Sequence, residues 1–235
     1  MASDSGEWTV LTWNVHGSER PNIAKLADAI GLETPDVVVI QEIRKKQASA
    51  LAAALAFRYS WARKHFPYTR VLWWRAEGMA IMTPHALDAA GHTELSDNER
   101  SRSWKRRIAQ WALVGRGDST AFRVYNVHLS PHDSASSRRE EAVRLAKVVA
   151  EHGDVPPAIV AGDFNDSYDS SIIYALPGIE HLVPPDSSPA DEPTQLLDHV
   201  LLPVEAEHVS VTVPSGGVDW AELSDHLPVT VRFRM

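Results

Sequence analysis

Asn14 in TWNVHG, Glu42 in VVVIQE, His128 in VYNVHLS and the Asp163–Asn165 pair in IVAGDFND share one position. Each closes an apolar run of strand type. Asp198 in LLDHVLL and Asp225–His226 in SDHLPV open such runs, and Glu77 stands just before Gly78 at the head of EGMAIMT. The residue types suit one chemistry. Carboxylates bind a hard divalent cation, imidazoles move protons, and carboxamides orient a water or a phosphate. Magnesium takes one or two carboxylates and fills its remaining positions with water and phosphate oxygens, so Glu42 with Asn14 beside it is a natural anchor. No HxxH, HExxH or cysteine-bearing zinc spacing occurs. Taken singly, a strand-end Asp or Asn is ordinarily a turn or cap residue. Repetition at strand after strand changes the argument: if those ends meet at one rim, they form a polar pocket on a rigid scaffold.

The elements that must carry these residues alternate between strand-like and helix-like. Glu7 to Val15 and Val37 to Gln41 read as strands, the second apolar enough to be buried on both faces. Pro21 to Gly31 reads as a helix, with Ile23, Leu26, Ala27 and Ile30 as its stripe, and alanine-rich Lys45 to Phe57 as another. Strands are expected at Thr69 to Trp74, Gly78 to Met82, Gln110 to Gly115 and Phe122 to Leu129. A helix over Ser137 to His152 turns Val143, Ala146, Val149 and Ala150 inward, and Ile159 to Ala161 follows as a fully apolar strand. A short helix at Ser170 to Leu176 precedes three closing strands at Asp198 to Leu202, Val209 to Val213 and Pro228 to Phe233. Pro184 to Pro193 reads as a surface loop. The order suggests packed sheets with helices outside, in one domain spanning residues 1–235.

Composition narrows the classes. With 44% apolar and 23% charged residues over 235 positions, the chain can bury one large core. No run approaches the roughly 20 apolar residues of a membrane span, and MASDSGEWTV lacks the pattern of a secretory signal. The absence of cysteine rules out disulfides, thiolate zinc sites and cysteine nucleophiles, and fits a cytosolic or a secreted setting. A net charge of −8 argues only slightly against a polyanionic substrate, since a bound cation inverts the local field.

TWNVHG, VVVIQE, EGMAIMT, VYNVHLS, VAGDFND, LLDHVLL and SDHLPV, in that order, resemble the endonuclease/exonuclease/phosphatase family, from about Trp8 to Val231. The resemblance implies an α/β four-layer sandwich, two mixed sheets face to face with helices outside. It implies hydrolysis of phosphoester bonds with magnesium, or with manganese or calcium in its place. It makes Glu42 the main metal ligand, Asn14 its neighbour and Asp225 a nearby acid. Asp163 and Asn165 resemble the pair that orients water and phosphate, and His226 the histidine held by Asp198. His128, with Glu77 orienting it and keeping it protonated, matches the DNase and sphingomyelinase branches rather than the abasic-site endonucleases. Phosphoryl transfer needs little beyond positioning and charge stabilisation, so His226 or Asp163 serves as base and His128 as donor.

The substrate hints are basic. RSRSWKRR, Arg100 to Arg107, can track a phosphate backbone with Trp104 as a stacking face, and Arg107 precedes a strand where relatives place a substrate-side arginine. Arg63 to His65 and Arg138–Arg139 are smaller clusters, and any one such cluster reads more readily as solvated surface. Of the adjacent Trp73 and Trp74, one is expected in the core. The expectation is a monomeric nuclease acting on DNA, with Arg107, Asn165 and His128 toward the substrate. The alternatives are a sphingomyelinase-like or small-molecule phosphoesterase, and a non-catalytic binding module of the same fold.

Overall fold

Two stretches of sequence have no polar face, Val37 to Ile40 and Ile159 to Ala161, and each becomes an inner strand of a separate sheet. The computed structural model describes residues 6–64, 75–97, 106–117, 121–131, 134–167, 176, 179–214 and 216–235. The strand expected at 69–74, the helix at 170–176 apart from Leu176, Trp73, Trp74, His65 and residues 100–105 of the basic run lie outside the described residues.

In chain order the elements are β1 (Glu7–Asn14), α1 (Ile23–Leu32), β2 (Val37–Arg44), α2 (Lys45–Leu55), β3 (Arg58–Arg63), β4 (Glu77–Thr83), β5 (Ala86–Glu94), β6 (Ile108–Gly115) and β7 (Ala121–His128). There follow α3 (Ala135–His152), β8 (Ala158–Asp163), β9 (Ile179–His181), β10 (Asp198–Pro203), β11 (Glu207–Thr212), α4 (Trp220–Leu223) and β12 (Val229–Arg234). One sheet runs β11-β12-β1-β2-β4-β3, the other β5-β6-β7-β8-β10-β9. Each holds one parallel pair, β1 with β2 and β7 with β8, among antiparallel neighbours. Val10, Val39, Val124, Ala161, Val200 and Val231 meet in the core between the sheets. A second cluster packs the first sheet against Leu26, Ile30 and Leu51 of α1 and α2, and a third packs the other sheet against Leu145 and Val149 of α3. The four-layer α/β sandwich is therefore the observed fold.

A polar bridge crosses the middle layer between the sheets. Gln41 Nε2 donates to Asn126 Oδ1 at 2.8 Å and to Thr12 Oγ1 at 3.1 Å. Asn126 Nδ2 in turn donates to the Ile40 and Ala80 carbonyls, each at 3.0 Å. Buried amides must be paired, and pairing across two sheets fixes how one lies over the other.

Several expectations shift. α1 begins after Pro21 because Asn22 caps it, accepting from the Ala24 and Lys25 amides. In α3, Val143 is exposed and Ala150 faces out, while Glu141, Ala142 and Leu145 are buried. The buried face is rotated because the Glu141 carboxylate accepts from Ser130 N–H and Oγ, drawing its side of the helix inward. β3, β5 and β9 were not expected as strands. Among the described residues no helix is long and apolar enough to cross a membrane.

Candidate active site

The two parallel pairs end at the same rim. Asn14 closes β1, Glu42 lies near the end of β2, His128 closes β7 and Asp163 closes β8. Asp198, first residue of β10, pairs in register with Asp163. Asn14 Nδ2 donates to Asp163 Oδ2 at 3.0 Å, and His128 Nε2 lies 3.6 Å from the same oxygen. His128 Nδ1 lies 3.7 Å from Glu42 Oε1. Asp163, Asp198 and His226 each offer an atom within 4.8 Å of the others. Residues from both sheets thus converge as the strand-end pattern requires.

Local backbone makes this possible. Gly162 has φ 148°, and a Cβ there would fall on the Val127 carbonyl, so β8 presses against β7 only without a side chain. Asn165 has φ 52°; its N–H donates to Asp163 Oδ1 at 2.9 Å and its Nδ2 to the Leu129 carbonyl at 3.1 Å. An Asx turn rather than extended chain therefore sets the direction of both side chains. Phe164 enters the core cluster between its sheet and α3. Glu42 has φ 56° and sits where the β2–β4 pairing slips between Ile40 and Ile43, a bulge that re-aims its side chain.

The His226–Asp198 pair is formed. His226 Nδ1 and Asp198 Oδ2 are 2.7 Å apart, and Ser187 Oγ donates to the same oxygen at 2.7 Å. Burial alone would lower the imidazole pKa, but the Asp198, Asp163 and Asp225 carboxylates outweigh it and raise it to about 10. Burial, aided by Asp198, raises Asp163 to about 6, against the opposing pull of His226 and the Asn14 bond. Asp225 stands at the rim with a side chain 57% exposed, its contacts being His16 Nδ1 at 3.5 Å and Ser224 Oγ at 3.3 Å.

Glu77 does not orient His128. Lys64 Nζ comes between, 3.3 Å from His128 Nδ1, 3.6 Å from Glu42 and 3.8 Å from Glu77. Burial, then Lys64, Arg107 and His226, hold the His128 pKa well below its ordinary value, so this imidazole is neutral rather than protonated. With Nδ1 accepting from the ammonium, the ring proton sits on Nε2, an assignment made from the hydrogen-bond partners. Burial also raises Glu77 and lowers Lys64, whose other large opponent is Arg107. Arg107 is buried as well, in the field of Glu141, Asp163, Glu42 and Glu77, and its Nε has no hydrogen-bond partner among the described residues.

Other basic expectations resolve into structure. Arg106 pairs with Glu94 at 3.4 Å. Arg138 bonds Asp166 at 3.0 Å and the Pro131 carbonyl at 2.8 Å, bracing the turn after β8. Sequence reasoning treated Lys64 only as part of a surface cluster and missed Ser187 and Ser224. Ser224 Oγ donates to the Asn14 carbonyl at 2.6 Å and accepts from His226 N–H at 3.2 Å, tying two site residues together. Its place before Asp225–His226 was the available signal.

Two groupings compete for a cation. Asp163, Asp198 and His226 are close enough to ligate one, but Asp163 Oδ2 already accepts from Asn14, and Asp198 Oδ2 is shared between Ser187 and His226 Nδ1, which leaves Asp198 Oδ1 as the buried oxygen without a hydrogen-bond partner among the described residues. Glu42 has a partly exposed carboxylate that receives no hydrogen bond among the described residues, its neighbours standing at 3.6 and 3.7 Å. An oxygen donor with open lone pairs fits a hard divalent ion, and Glu42 is the better anchor.

The chain matches the Endonuclease/Exonuclease/phosphatase family over residues 11–226. It is 23% identical to the uncharacterized protein YbhP of Escherichia coli (strain K12) over 253 aligned positions, covering 96% of both chains. It superposes on an endonuclease/exonuclease/phosphatase from Bacteroides vulgatus with a TM-score of 0.80 at 19% identity, covering 97% of this chain and 99% of that one. A mannosyl-6-phosphatase of Bacteroides thetaiotaomicron VPI-5482 gives a TM-score of 0.79 at 19% identity, covering 97% and 100%.

Proposed function

The chain belongs to the endonuclease/exonuclease/phosphatase family, and from that premise we propose that it is a divalent-metal-dependent phosphodiesterase acting on nucleic acid, DNA first. Members of this family are phosphoesterases and generally depend on a divalent metal. The observation that carries the reading is the unbroken chain of contacts Glu42–His128–Asp163–Asn14, with Asp198–His226 against it.

Glu42 would hold the ion with Asn14 beside it, and the bound ion supplies charge neutralisation at the phosphoryl oxygens. Asp163, raised yet ionised at neutral pH, accepts the proton of the attacking water. His226 stays cationic against Asp198 and donates a charge-assisted hydrogen bond to a phosphoryl oxygen. Neutral His128 donates from Nε2, while Lys64 and Arg107 supply fixed positive potential in a pocket with little water to screen it. Asn165, pinned by Leu129, orients the phosphate from the side of β8.

The test is turnover with magnesium or manganese on plasmid DNA, RNA, sphingomyelin and a sugar 6-phosphate, the last because a mannosyl-6-phosphatase shares the fold. Nicking of DNA that disappears in His226→Ala and in the isosteric Asp163→Asn supports the reading. Release of inorganic phosphate or choline phosphate without any nicking overturns the nuclease assignment and leaves the hydrolase.

A further inference from the structure

A groove of about 500 Å³ lies between the start of α2 and the outer face of the edge strand β3. The alternation of β3 explains its lining. Ala62 faces the core and Lys64 follows into the active site, while Tyr59, Trp61 and Arg63 face outward into the groove. Trp61 is a built surface. Its Nε1 donates to the Ile43 carbonyl at 3.0 Å, and a Cβ on Gly78 would collide with its indole, so the ring lies close against bare backbone. Tyr59 is 36% exposed beside it.

The charge is equally pointed. Lys45 and Lys46 are the first two residues of α2, whose first turn carries no acid. Cations at a helix N-terminus oppose the macrodipole, and among the described residues lining the groove they and Arg63 give three positive charges and no acid, in a chain of net charge −8. The groove adjoins the catalytic residues along the chain: Lys45 follows Glu42 by three residues, Arg63 precedes Lys64, and Ala76 precedes Glu77.

We propose that this groove is the substrate subsite flanking the scissile phosphate, and that it holds an unpaired nucleotide of a single strand, with the base on Trp61 and Tyr59 and the neighbouring phosphates on Lys45 and Lys46. The claim rests on the phosphodiesterase reading above. An aromatic face with flanking cations matches a stacked base and its backbone, and a base inside a duplex has no free face to offer. The substrate class narrows accordingly to single-stranded or locally unpaired nucleic acid.

The experiment is fluorescence anisotropy on the His226→Ala protein with magnesium present. It compares a labelled single-stranded ten-mer with an abasic ten-mer of identical backbone. The base-bearing strand should bind about tenfold more tightly, the gain of roughly one stacked base. Tyr59→Ser and Trp61→Leu should each reduce that preference, and together abolish it; the exposed Tyr59 keeps the test valid if the Trp61 variant misfolds. Lys45→Gln/Lys46→Gln should weaken both strands alike and flatten the logarithmic salt slope by about 1.4. No preference in the parent, an unchanged preference in Tyr59→Ser, or an unchanged slope overturns the subsite. Cleavage by the wild-type enzyme is scored separately: DNA nicking with a failed binding test sinks the groove alone, and no turnover of any phosphodiester sinks the phosphodiesterase reading.

Discussion

Lys64 Nζ stands 3.3 Å from His128 Nδ1, and this contact sets the charge of the imidazole. A buried ammonium facing a ring nitrogen excludes a second proton. In the metal-free protein, Lys64→Met should therefore move the His128 titration midpoint upward toward its ordinary range, since the largest influence after burial is removed. Nitrogen-15 NMR of the imidazole reads this directly. An unmoved midpoint would show that burial alone keeps His128 neutral.

Glu42→Gln removes the anionic donor whose lone pairs are open. The loss in kcat/KM should be on the order of 10²-fold or more, with the metal concentration for half-maximal rate shifted strongly upward. Wild-type metal dependence in this variant would place the ion elsewhere, with the Asp163, Asp198 and His226 group as the remaining candidate.

The pH profile follows from two groups raised in opposite service. Asp163 must be ionised, and its pKa is raised to about 6, so activity climbs as pH rises through that value. His226 must be protonated, and its pKa is raised to about 10, so activity is lost as pH climbs past it. The expected kcat/KM profile is a broad bell between those limbs. An acid limb near the ordinary carboxylate value, or a decline already under way at pH 7, would contradict the assigned roles.

Asn126→Ala strips partners from Gln41 and from the Ile40 and Ala80 carbonyls at once. Leaving these buried groups unpaired should cost about 3 kcal/mol, or roughly 6–12 °C in Tm for a chain of this size. Calorimetry measures it. A shift below about 2 °C would mean that the bridge between the sheets is dispensable.

The site was legible where apolar periodicity runs straight into a polar end, as at Asn14, His128, Asp163 and Asp198. There the strand fixes the side chain's address, and the residue type states its chemistry. Lys64 was not legible, because a lysine next to an arginine reads as solvated surface until β3 is known to lie at the edge with its inward face aimed at the rim. β5, ALDAAGHTE, escaped for the opposite reason: as an edge strand it is mostly half-exposed, with too little apolar alternation to announce itself. The Glu77–His128 pairing failed because sequence order says nothing about a third side chain arriving from another strand.

Glu42 and Asn14 ride on one sheet, His128, Asp163 and Asp198 on the other, and His226 enters from the segment before β12. Neither slab alone carries both an anchor for a cation and a base for water. A nascent or partly melted chain, with one slab formed and its mate still loose, is chemically silent. Competence switches on only at docking, and a site so divided between two halves cannot begin work before the fold is finished.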